Sequence, residues 1–184
     1  MKSFRPLLLA FVLAGCAGPG AYEAVSTSVI SANYGAADAL IAIARPRLDA
    51  DRPIIMATLV DIDDLERSST LGRYVSESVS ARFTQSGYKM VEMKFQKAVY
   101  MKRDEGELML TRQIREIATS HQAQAVVVGT YSRASSTVFI NLKVVKPESN
   151  IVIAAQDYSL RMNRDICTMI LRDDRACSER WREY

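Results

Sequence analysis

Two apolar runs constrain this chain more than any other feature. Ile54-Ile55-Met56-Ala57-Thr58-Leu59-Val60 opens behind Pro53 and stops at Asp61, and Ala125-Val126-Val127-Val128-Gly129-Thr130 repeats the pattern later. Neither run alternates, so neither leaves a face for water. Each is therefore expected to be a central strand covered on both sides. The segments around them supply the cover. Tyr34, Ala37, Ile41 and Ala44 fall at helical spacing, and Pro46 ends that helix near Arg45. Leu71, Val75, Val79 and Phe83 repeat every four residues behind the capping candidates Ser69 and Thr70, with Gly87 as the stop. Ile114, Ile117 and Ala118 mark a third, shorter helix behind Thr111.

Residues 88–93 are expected to form a second strand, and 95–102 with 107–110 a small hairpin about the polar turn Arg103-Asp104-Glu105-Gly106. The final pair differs in kind. Val138, Ile140, Leu142 and Val144 alternate with Thr137, Phe139, Asn141 and Lys143, and residues 147–150 turn the chain into 151–158. That predicts an antiparallel hairpin with one wet face. The order gives an α/β fold with parallel crossovers early and antiparallel pairing late: one domain, a mixed sheet of about five strands, and helices packed on it.

The chain begins with a different kind of segment. Lys2 and Arg5 precede an apolar stretch that ends at Leu13-Ala14-Gly15-Cys16. This has the layout of an export signal, and the run is far shorter than the roughly 20 residues of a membrane-spanning helix. It resembles a bacterial lipobox, which makes residues 1–15 a signal peptide and Cys16 the acylated first residue, and Ala17 in place of aspartate favours the outer membrane. The competing reading is ordinary cleavage near Ala17. Residues 16–31 have tether composition. The 184 residues less the 15 ahead of Cys16 leave 169, enough for one core. Loss of Lys2 and Arg5 lowers the formal charge from +3 to +1. A balanced chain of this kind lacks the basic face that nucleic-acid binding requires. After Leu160 the pattern gives way to mixed charge, so residues 161–184 are expected to be a solvated tail. That tail holds Cys167 and Cys177, which after export would pair with each other, the alternatives being an intermolecular bond or free thiols.

Several blocks resemble the FlgO family of flagellar outer-membrane lipoproteins. They are Arg52-Pro53-Ile54-Ile55 through Thr58-Leu59-Val60-Asp61-Ile62-Asp63-Asp64-Leu65-Glu66 to Leu71-Gly72-Arg73, then Gly87-Tyr88-Lys89-Met90-Val91-Glu92 and Leu110-Thr111-Arg112. Ala123-Gln124-Ala125-Val126-Val127-Val128-Gly129-Thr130-Tyr131 and Val138-Phe139-Ile140-Asn141 follow in the same order. The blocks cover residues 32–160. The resemblance implies a periplasm-facing domain on the outer membrane, with flagellar or other envelope proteins as partners and a role in motility or flagellar stability. It implies no catalysis and no cofactor, and it leaves the oligomeric state open. The alternative is an oligomerising envelope-assembly or secretion accessory lipoprotein.

Candidate chemistry is sparse. Asp61, Asp63, Asp64 and Glu66 cluster at a strand end, where α/β proteins often place ligands. An EF-hand would need a glycine where Glu66 stands and a later bidentate glutamate, so turn formation before a helix is the favoured reading and metal binding is not expected. His121 is the single histidine, so any His-dependent triad would have to use it, and no such role is expected. Gly18, Gly20 and Gly129 make no phosphate loop. A membrane-inserting hairpin from Phe95, Val99, Met101, Leu108 and Leu110 is disfavoured, because its second arm is much shorter than the about 9 to 11 residues a membrane strand needs.

Overall fold

The computed structural model describes residues 21–92, 101–104, 107–110, 112–171 and 177. The first described element is α1 (Ala21–Ala44), which ends in a 3-10 turn at Arg45–Arg47, where Pro46 removes a backbone donor. Helix α1 starts ten residues ahead of the expected tether boundary. Gly18-Pro19-Gly20 punctuates the sequence just before it, and Ala21-Tyr22-Glu23-Ala24 carries good helix formers. The acylation candidate Cys16 and the rest of the signal lie outside the described residues.

The first apolar run is not one strand. It divides into β1 (Ile54–Met56) and β2 (Val60–Asp61). Both pair in parallel with β6 (Ala125–Arg133), Met56 opposite Val127 and Val60 opposite Thr130. The first run thus advances four residues where β6 advances three. One residue too many makes a bulge, and its backbone groups need partners outside the ladder. Helix α2 (Thr70–Gln85) supplies them. The Ser76 hydroxyl oxygen accepts from the Leu59 N–H at 2.9 Å, and the Ser68 hydroxyl, just ahead of the helix, donates to the Leu59 carbonyl at 2.7 Å.

Helix α2 follows its sequence signals closely. The Ser69 hydroxyl accepts from the Gly72 N–H at 3.1 Å, Leu71, Val75, Val79 and Phe83 are all buried, and Gly87 takes φ +91° just past the end. Strand β3 (Met90–Glu92) pairs in parallel with β1, while β4 (Met101–Asp104) and β5 (Glu107–Leu110) form the expected hairpin as a separate two-stranded sheet. The expected first arm before Met101, and the cap at Thr111, lie outside the described residues. After α3 (Arg112–Ser120) come β6, then β7 (Thr137–Val145) and β8 (Val152–Arg161), antiparallel in sequence. Across the main sheet the order is β3, β1 with β2, β6, β7, β8.

This is a single mixed α/β domain with two unequal layers of cover. On one face, α1, α2 and α4 (Arg164–Leu171) bury Leu40, Ile54, Leu59, Phe83, Ile140 and Leu142. On the other face, α3 lays Ile114 and Ala118 against Ile55, Val60, Val126 and Val128. Among the described residues, that second cover reaches no farther than Val145 at the end of β7. Val145 is still buried under it, but elsewhere along β7 and β8 the second face carries Phe139, Asn141 and Lys143, and Ala155, Asp157, Ser159 and Arg161, none of them buried.

The expectation of a solvated tail from residue 161 is corrected. Met162, Ile166 and Cys167 are each 2% exposed, α4 packs on α2, and Cys177 is fully buried. The charges hid an inner stripe. Met162, Ile166 and Ile170 repeat every four residues, so one side of this segment is apolar while Arg164 and Asp165 face outward. A disulfide joins Cys167 to Cys177, with their Cα atoms 5.7 Å apart.

Candidate functional site: a polar cleft at the strand ends and an open sheet face

Parallel strands end where their connections leave the sheet, and the gap between those connections is where an α/β domain gathers polar groups. Here that gap is a polar cleft of about 390 Å³ between the end of β2, the entry to α2, the end of β6 and the end of α4. Asp61, Asp63, Arg67 and Arg133 border it, with Ser68, Ser69 and Tyr131 at its floor and Ile170 and Leu171 on the α4 side.

The acidic cluster spends its oxygens locally. The Asp61 carboxylate accepts from the Asp63 N–H at 3.0 Å, and the Asp64 carboxylate from the Glu66 N–H at 3.2 Å. The Asp61 N–H donates to the Arg67 carbonyl at 2.9 Å, and the Arg67 N–H to the Asp64 carbonyl at 3.0 Å. These short contacts close residues 61–67 into a self-supporting loop. Among the described residues, no three His, Cys, Asp or Glu side chains converge as metal ligands.

Tyr131 and Ser69 are the buried polar groups of the cleft. The Tyr131 phenol is the one that titrates. Burial pushes it up from the usual range and the negative charge of Asp61 adds to that, while a hydrogen bond with Ser69 and the Arg67 charge act the other way. The cleft therefore offers two exposed guanidinium groups beside two carboxylates over a neutral floor. That suits a polar or charged surface of a partner. Among the described residues that line it, no nucleophile is paired with a base. His121 sits elsewhere, exposed in the turn after α3 with its N–H donating to the Ile117 carbonyl at 3.0 Å.

The second feature is the uncovered half of the sheet. An open, mainly apolar groove of about 400 Å³ runs over β6, β7 and β8, lined by Ile62, Thr130, Ser132, Phe139, Asn141 and Asp157 among others. Phe139 is 55% exposed and Ile62 is 36% exposed. A hydrogen bond from the Asn141 amide to the Asp157 carboxylate crosses the groove floor.

Asp61, Asp63, Asp64 and Glu66 are legible in the sequence as a cluster, yet only Asp61 and Asp63 border the cleft. Sequence patterning does not single out Arg67, Tyr131, Arg133 or Phe139 as site residues. A signal exists for Phe139 alone: it is the aromatic in the polar register of an alternating strand.

Comparison with known proteins places this architecture. The family described as FlgO protein matches residues 34–165. No curated protein matches the chain. Among solved structures, the LpoB C-terminal domain from Salmonella enterica superposes with a TM-score of 0.52 at 11% identity, covering 72% of this chain and 97% of that one. The LpoB C-terminal domain from Escherichia coli gives 0.48 at 10% identity, covering 72% and 98%. Lipoprotein GNA1162 from Neisseria meningitidis gives 0.43 at 11% identity, covering 60% and 83%. At 11% identity the likeness to the Salmonella enterica domain is one of fold alone.

Proposed function

The chain belongs to the FlgO family, and from that premise we propose that it is a lipid-anchored protein of the bacterial outer membrane, facing the periplasm, whose domain binds protein partners of the flagellum. The observation that carries this reading is the family match over residues 34–165 standing behind Leu13-Ala14-Gly15-Cys16. The acylated Cys16 is the anchor. No described helix is long and apolar enough to cross a membrane, so the lipid is the attachment this reading relies on. Each buried acyl CH2 contributes about 0.8 kcal/mol, and several chains together hold far more firmly than one.

The mechanism is recruitment. Confinement to the membrane surface raises the local concentration of the domain against membrane-embedded partners, which strengthens a modest protein contact without any new interaction. The cleft and the groove suit such a contact, the first supplying charge for orientation and the second apolar area. Catalysis has no part in the reading. It rests on binding alone.

A clean deletion tests the role. Loss of swimming with secretion intact is the expected result, normal swimming and normal flagella would sink it, and a secretion defect with normal swimming would point to envelope assembly instead. Cys16→Ser tests the mechanism separately. It should move the protein from the membrane fraction to the soluble periplasm and reduce swimming, and full motility with a soluble protein would remove anchoring from the account.

A further inference from the structure

We propose that β8 is a self-association edge: two copies of this chain pair β8 to β8, antiparallel, about a twofold axis through Ser159. The main sheet has two edges. Strand β3 is three residues long, whereas β8 is ten residues long and, among the described residues, no strand lies beyond it.

The ladder shows which backbone groups point outward. The Met162 N–H donates to the Ser136 carbonyl at 2.9 Å, which makes Thr137 and Arg161 a non-hydrogen-bonded pair. Alternation then turns the amides and carbonyls of Leu160, Tyr158 and Gln156 toward β7 and those of Arg161, Ser159 and Asp157 toward the edge. A long edge with such groups unpaired is a template for another strand.

The two halves of the edge differ. Towards its start, Arg47 donates to the Ile153 carbonyl at 2.8 Å, beside the register shift at Val144 and Val145, and so blocks pairing. Towards its end, among the described residues, only the Asp157 carbonyl has a partner, the Gln156 amide at 2.8 Å, and a carbonyl keeps a second lone pair. The open half is 157–161.

Charge then selects one register and one partner. A pairing centred on Asp157 sets two carboxylates opposite each other. A pairing centred on Ser159 sets Asp157 of each copy opposite Arg161 of the other, twice by symmetry, with serine on serine at the axis. Asp157, Ser159 and Arg161 are all exposed and share the uncovered face. The Asn141 amide holds one Asp157 oxygen, leaving the other for the guanidinium. The occupant that fits is a second copy of the same strand, and the two open grooves join across the serines into one trough.

Cross-linking in cell envelopes tests this with the full lipidated chain. Directly opposed residues of a hydrogen-bonded antiparallel pair have Cα atoms about 5.5 Å apart, within disulfide range. Ser159→Cys should give a dimer band under diamide on a non-reducing gel, and Ala155→Cys, which faces Asn163 of the other copy, should not. In the Ser159→Cys background, Asp157→Arg or Arg161→Asp alone should cut the dimer at least tenfold, and the two together should restore it. Restoration by the double exchange shows that both substitutions are compatible with the fold, and equal band intensity of the single variants on a reducing gel shows that they accumulate normally. Absence of a Ser159→Cys dimer, equal cross-linking through Ala155→Cys, or failure of the double exchange to restore the band would each overturn the proposal.

Discussion

Two phenylalanines separate the working halves of this molecule. Phe83 on α2 is fully buried beneath α1 and the sheet, with its ring centroid 5.9 Å from that of Tyr88, while Phe139 on β7 stands 55% exposed on the half-face that no described element buries. The same side chain in one place stabilises the fold and in the other stands open on the sheet face that the proposed contact would use. What differs is the cover: three helices serve one face, and α3 serves only half of the other. A small domain that left this much apolar surface open for no purpose would invite aggregation, so the open half is the surface to question for function.

The contrast predicts a graded set of stabilities. Phe83→Ala should cost about 3 to 5 kcal/mol in denaturant unfolding, since a buried aromatic leaves a cavity that the sheet cannot collapse to fill. Gly72→Ala comes next. A Cβ there would lie 2.6 Å from the Leu59 carbonyl and 2.9 Å from the Tyr131 ring, and overpacking of this kind costs about 1 to 3 kcal/mol or more. Tyr158→Phe removes the hydroxyl that donates to Asn33 Oδ1 at 2.6 Å and leaves that buried oxygen unpaired, for a loss of about 1 to 3 kcal/mol. By contrast, Phe139→Ser should move stability by no more than about 0.5 kcal/mol while weakening partner capture. If Phe139→Ser unfolds the domain as Phe83→Ala does, the open half is core and the comparison fails.

The smallest effect belongs to the rim of the covered face. Arg82 on α2 makes a paired contact with Asp38 on α1 at 2.8 and 2.9 Å and lies 5.4 Å over the Tyr34 ring. The Arg82 hydrogen bond holds the Asp38 carboxyl below its ordinary 3.8. A carboxylate with a depressed folded pKa adds stability above its unfolded pKa and loses it as the pH falls through the folded value. Both side chains are substantially exposed, so solvent and salt screen the pair. Comparing wild type with Asp38→Asn from pH 7 to pH 2, the small stability difference should persist above pH 4 and vanish below it. A difference unchanged at pH 2 would assign the effect to packing instead of charge.

Much of this is legible in the residues. The four-residue repeat from Leu71 to Phe83, its Ser69 cap and its Gly87 stop describe α2 because helix periodicity and capping are local properties. The alternation along β7 names its buried and wet positions for the same reason. The run 54–60 misleads, because a bulge depends on register against β6 and on hydroxyls from Ser68 and Ser76 that arrive from farther along the chain. The tail misleads because its charges outnumber the apolar stripe of Met162, Ile166 and Ile170, and only docking on α2 gives that stripe a partner.

The candidate surfaces divide the same way. By itself the sequence determined the export-signal layout that ends at Cys16, the mixed α/β order and which residues of each element seek the core, since hydrophobic period and capping act within a few residues. Tertiary structure alone decided that the Asp61 and Asp64 carboxylates fold back on their own loop, that Arg67, Tyr131 and Arg133 meet at one cleft, and that, among the described residues, most of one side of β7 and β8 stays uncovered. Those outcomes turn on how far α3 reaches across the sheet and where α4 lands, and burial of that kind is settled by neighbours distant in the chain.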